Sequence, residues 1–250
     1  MRSVAADGTK GLDRETGGSM NQGGQRRRAV KARVRQLLTQ GDPDAALEEM
    51  LRLPSGSAIN ALFSFIQNGD PRLKWPAVRC FGAVVSRIAD RDLESARVIM
   101  RRLMWSLNDE SGGIGWGSPE AMGEALARHQ SLAAEYAPIL LSYAREDGNY
   151  LEHERLQRGL LWGIARALGS RPEDFRDASP HLVRYLGSPD ATVRALAARI
   201  MGLLRFSEAC SPLRELAGDD SEISLDFRGQ LGKHHVRELA QEALSTIPCP

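Results

Sequence analysis

From residue 26 onward the apolar positions recur at three- and four-residue intervals, the period of a helix with one buried face. Val30, Val34, Leu37 and Leu38 open the pattern. Asp42-Pro43 then supplies a cap and a first-turn proline for a helix over 45–53. Similar punctuation returns at Gly69-Asp70-Pro71, Gly117-Ser118-Pro119 and Gly187-Ser188-Pro189. Each sets a glycine that can end one helix beside a polar cap and a proline that can begin the next. No run shows the alternating β-branched and aromatic composition of a strand. The spacing predicts helix pairs over 57–67 with 73–88, 93–107 with 118–128, 131–145 with 150–168, 178–187 with 190–204, and 208–217 with 233–246. The last helix reads as a terminal cap that covers the core from Leu239 to Ile247 and turns Glu238, Gln241 and Glu242 to water.

Whole segments also superpose. Residues 118–127 and 188–197 match at six of ten positions with an offset of 70. At an offset of 120, Asp70, Ala77, Arg79 and Gly82 match Asp190, Ala197, Arg199 and Gly202; near the C-terminus, Val236-Arg237 with Leu239-Ala240 repeats Val193-Arg194 with Leu196-Ala197. At an offset of 39, Arg155 and Gly163 stand opposite Arg194 and Gly202. Asp190, Val193, Arg194 and Ala197 spell D-x-x-V-R-x-x-A, which resembles the second helix of the short HEAT-like repeats of the phycobilin-lyase type. The resemblance implies an all-α fold, an α-solenoid of about five degenerate HEAT-like helical hairpins, with second helices lining a concave binding face. It implies little about chemistry.

Composition agrees with one such domain: 42% of the 250 residues are apolar, 26% charged and 6% aromatic. Residues 1–24 are rich in glycine and poor in large apolar side chains, so they read as a disordered leader before a single domain over 25–250. Met20 offers an alternative translation start. Residues 1–40 hold nine basic and three acidic residues, leaving 24 basic against 29 acidic in the remainder. That acidic body disfavours phosphate backbones. The basic run from Arg26 to Arg35 interleaves no aromatic residue and suits a solvated or intramolecular role. With no apolar run of membrane-spanning length and no secretory signal, the expected location is the cytoplasm, away from any membrane. Cys80, Cys210 and Cys249 form no CxxC pair, so neither a disulfide framework nor a metal site is expected; Cys80 and Cys210 read as small core residues. The five histidines include no ligand spacing, and no cofactor is expected.

The unusual stretch runs from Trp105 to Glu124. It joins two helices through a long glycine-rich loop, 108–118, and sets Gly123-Glu124 where the repeat has Val193-Arg194. Trp116 either caps the core edge or offers a stacking surface. Trp105, Asp109, Glu110, Trp116, Glu120 and Glu124, with Glu152, His153 and Arg155 at a following helix start, are the candidate partner- or ligand-binding residues. If the second helices line one face, Glu120, Glu124, Glu152, His153 and Arg155 converge on one pocket beside the loop, suited to a polar or cationic ligand or a basic peptide. The function expected is a non-catalytic scaffold that binds a protein partner, as monomer or homodimer, and regulates or matures an enzyme complex. Two alternatives stand beside it. Trp105 and Asp109 share the four-residue Trp–Asp spacing of HEAT-like alkylpurine DNA glycosylases, and the repeat type suggests a cofactor lyase or chaperone. A lone His153-Glu154 pair does not make the di-iron site of the HEAT-repeat hydroxylase that acts on deoxyhypusine.

Overall fold

A computed structural model of the chain describes residues 16–108, 115–227 and 230–249. Helices begin where short polar side chains can accept the first free amides. The Asp42 carboxylate takes the Asp44 and Ala45 amides at 3.0 and 3.1 Å, Asp70 takes Arg72 at 3.0 Å, Asp92 takes Glu94 at 3.1 Å, and Asp190 takes Val193 at 3.0 Å. Each such cap stabilises its helix by about 1 kcal/mol. Pro189 precedes the Asp190 cap instead of opening the helix, and Ser118 lies inside its helix, with Gly117 as the cap at φ 80°.

These starts produce successive pairs. α1 (Thr16–Leu38) and α2 (Pro43–Arg52) form the first, α3 (Ser55–Ile66) and α4 (Pro71–Ala89) the second. α5 (Leu93–Leu107) pairs with α6 (Ser118–Arg128), and α7 (Gln130–Ser142) with α8 (Glu154–Leu168). The fifth pair opens with a short α9 (Ser179–Leu182), continued by a 3-10 turn over Val183–Gly187, before α10 (Ala191–Leu204). α11 (Cys210–Leu216) and α12 (Val236–Thr246) complete the series. The second members α4, α6, α8, α10 and α12 each pack against the next, which makes the fold the all-α solenoid that the repeat resemblance implies. One pair is added to the five expected, because α1 and α2 pack on α3 and α4 through Val34, Leu37, Leu38 and Met50. No helix among the described residues is long and apolar enough to cross a membrane.

Two expectations are corrected. α1 begins at Thr16, and its Val30 packs against the core. Residues 1–15 lie outside the described residues. The sixth pair contains strands: β1 (Glu222–Phe227) pairs antiparallel with β2 (Gln230–His235), so α12 starts at Val236 and not at 233. Ile223 and Leu225 are buried between exposed Glu222 and Ser224, an alternation too short to stand out in the sequence. Finally, Cys210 and Cys249 are joined by a disulfide across 39 residues, where no bridge was expected. Folding α12 back on α11 brings together two cysteines that have no motif in sequence.

Candidate functional site

α6 lies at the centre of the stack, and every residue from Ser118 to Ala127 is buried. Gly123 replaces the valine of the repeat because α8 runs against it: a Cβ on Gly123 would fall within the backbone of Gly163, and one on Gly163 would meet the Pro119 carbonyl. The same helix carries two buried carboxylates, and glycines on its neighbours make room for them. Glu124 accepts Arg128 Nε at 2.7 Å and Arg166 Nε at 2.6 Å, and Gly82 of α4 lies against it. Glu120 accepts Lys74 Nζ at 2.6 Å beside Gly159, while its Oε2 has no hydrogen-bond partner. Burying a carboxylate is tolerated only with such pairing.

Two pairs further along the chain run the other way from those of Glu124. Arg158 of α8 reaches forward to Asp190 with Nε at 2.7 Å, and Arg194 of α10 to Asp219 with Nε at 2.9 Å. Burial alone would raise the Asp219 carboxyl, but hydrogen bonds from Ser221 and Arg194 outweigh it and hold the group below the usual carboxylate range. Burial pushes the Cys80 thiol up to about 12, which makes it a packing residue and not a nucleophile.

The structure divides the sequence-predicted site residues among separate places instead of gathering them in one pocket. Trp116, His153 and Arg155 meet at the edge of the core. His153 caps α8 by accepting the Arg155 amide at Nδ1, 3.1 Å, which fixes its ring edge-on to half-buried Trp116 at 5.0 Å; the Arg155 guanidinium lies 4.6 Å over the indole. Trp116 thus caps the core edge and holds a cation on its face. Glu120 is committed to Lys74, and Glu124 to Arg128 and Arg166. Glu152 is exposed, as is Trp105 on α5, at 77%. Asp109 and Glu110 lie outside the described residues. The division follows from burial: on a helix with no exposed face, Glu120 and Glu124 turn to the neighbouring second helices, whereas Trp116, His153 and Arg155 stand at helix starts.

A cleft of about 470 Å³ crosses α4, α6, α8 and α10. Each helix contributes one arginine to it: Arg79, Arg128, Arg166 and Arg199. Glu124 and Asp226 also line it, and the Trp162 indole N–H, donating to the Asp226 carbonyl at 2.9 Å, ties β1 down beside it. The sequence reading did not pick out this row, although the match of Arg79 to Arg199 at an offset of 120 pointed to it. The basic run behaves differently: Arg33 pairs with Glu49, Lys31 lies 5.9 Å over the Phe65 ring, and Arg26, Arg27 and Arg28 are exposed.

Stacked helix pairs with a charged cleft across their second helices define a helical-repeat protein. No protein-family model and no curated protein matches the chain. Among solved structures, it is similar to a designed armadillo repeat protein (17% identity, 87% of this chain and 99% of that one, TM-score 0.48). Another similar structure is a designed armadillo repeat protein in complex with the peptide (KR)4 (16% identity, 87% and 98%, TM-score 0.46). A third is the archaeal HEAT-like repeats protein from Thermococcus onnurineus NA1 (13% identity, 86% and 79%, TM-score 0.38).

Proposed function

We propose that this chain is a non-catalytic scaffold of HEAT-like repeats that binds a protein partner across its second helices. The observation that carries this reading is the cleft spanning four consecutive repeats, a continuous surface to which each of the four helices brings one arginine. Charges held in pairs along a rigid stack suit recognition, since their order is fixed before the partner arrives. Trp116 with Arg155, beside the 108–118 loop, supplies a second contact at the edge. Regulation or maturation of an enzyme complex is the task such a surface serves.

The test is proximity cross-linking in native extract, comparing the wild type with an Arg79→Glu, Arg199→Glu double variant and with Trp105→Ala. A protein lost from the double variant and retained by Trp105→Ala supports the reading. A protein retained by both overturns it. Because a cytoplasmic protein would work with Cys210 and Cys249 as thiols, the comparison is run with the bridge oxidised and reduced.

A further inference from the structure

We infer that Cys210 and Cys249 form a thiol–disulfide switch that fixes or frees α11, the first helix of the sixth pair. The inference goes beyond the scaffold reading and is independent of what the cleft takes. It stands on where the two cysteines lie and on how little else holds the helix they fasten.

α11 spans seven residues, Cys210–Leu216, and no side chain caps its start. A helix shorter than about 12 residues is marginal on its own, so α11 depends on its attachments. It packs against α12 and the 3-10 turn over Val183–Gly187, burying Leu213. The bridge then joins its first residue to Cys249, three residues beyond the end of α12 at Thr246. The neighbouring elements have holds of their own. α12 packs along α10, Val236 donates its amide to the Ser221 carbonyl at 3.1 Å, and the Trp162 indole pins β1. Opening the bridge therefore releases one short helix and leaves the rest of the stack in place. That separates a switch from a staple on which the whole fold depends.

Access to the bond is one-sided. Cys210 is buried, at 3% exposure, whereas Cys249 is only partly buried. Cys249 is thus the side from which a small thiol such as glutathione approaches. A glutathione thiolate attacks Cys249 Sγ, the Sγ–Sγ bond breaks, and the Cys210 thiolate leaves and takes a proton. A second glutathione thiolate attacks the glutathione sulfur of the mixed disulfide and releases Cys249, which is protonated in turn. The bridge gains two electrons and two protons, and the two glutathiones leave as glutathione disulfide. The same steps in reverse close it. The third cysteine takes no part: Cys80 is buried, and its thiol, pushed up to about 12, supplies no thiolate to compete for either sulfur.

The experiment uses the full chain, first bridged, then incubated in glutathione without denaturant, and finally returned to excess glutathione disulfide. Thiols are counted by mass after alkylation, and hydrogen exchange is followed segment by segment. Supporting results are no label on the bridged protein, two labels after glutathione, and return of the bridge on reoxidation. With them, exchange over Cys210–Leu216 should run at least tenfold faster in the dithiol form while α4, α6 and α8 are unchanged. Cys249→Ser should exchange like the dithiol form in both buffers, which separates the bridge from any other effect of the reductant. A bridge that opens only in denaturant is a staple and overturns the switch. Equal exchange of α11 in the two forms overturns it as well, as does failure of the bridge to form in glutathione disulfide. Faster exchange through α10 and α12 along with α11 would show that the release is not confined to one helix, and the assignment to α11 would fall.

Discussion

α6 and α10 share a repeat frame, matching at six of ten positions, yet the frame holds them in opposite ways. In α10, Val193 fills the core and Arg194 reaches onward to Asp219, so the cation lies earlier in the chain than its anion. In α6 the valine becomes Gly123, which admits the α8 backbone, and the arginine becomes Glu124, which takes its cations from its own helix and from the one that follows. One substitution removes a side chain and the next inverts a charge. The lesson is that a degenerate repeat tolerates both when the neighbours compensate: Gly163 and Gly82 give space, and Arg128 and Arg166 give charge. The two consecutive departures from the repeat are therefore linked parts of one local solution, and Glu124 is what fixes two of the four cleft arginines.

The largest expected effect tests the space. Gly163→Val should destabilise the fold by about 3 kcal/mol or more in chemical denaturation, because its Cβ meets the Pro119 carbonyl. The equivalent Gly202→Ala in α10, where a Cβ would lie 2.9 Å from the Ala243 Cα, should cost less; equal losses would erase the distinction. Next comes the covalent tie of the last pair. Cys249→Ser should lower stability by about 2–4 kcal/mol under oxidising conditions and leave it unchanged under reducing ones, read as thermal midpoints. Glu124→Gln should cost about 2 kcal/mol, since the partners it abandons are partly solvated.

Smaller still is the contribution of Asp219, about 1 kcal/mol. Its folded-state pKa is lowered, so this stability is present above the ordinary carboxylate value of 3.8 and is lost as pH falls through the lower folded value. Asp219→Asn should therefore trail the wild type by a constant margin from pH 5 to 7, with the gap closing below pH 4. A margin that persists to pH 2 would show that the pair contributes packing and not charge. The smallest effect is none: Cys80, buried and raised to about 12, should resist thiol reagents in the native state at pH 8 while reacting in denaturant.

The helix pairs were legible because their signals are local. Asp42-Pro43 and Asp70-Pro71 fix helix starts within a few residues, and the stripe of Val30, Val34 and Leu37 needs no partner to be seen. What escaped depends on the stack. Cys210 meets Cys249 only after α12 packs on α11. Glu120 and Glu124 read as exposed binding groups because no sequence pattern says that α6 has no exposed face. The arginine row is spread over 120 residues and becomes a surface only when its four helices align. The β-hairpin escaped for a milder reason, that two buried residues make too short an alternation.

That hairpin bears on how the molecule comes apart. In a plain solenoid each unit touches only its neighbours, so the terminal one frays by itself. Here the Trp162 indole of the fourth pair holds the Asp226 carbonyl of the sixth, a bond that leaps over the fifth. Exchange of the α10 amides should then require the release of both flanking units, making the C-terminal half a single cooperative block and leaving fraying to the N-terminal end.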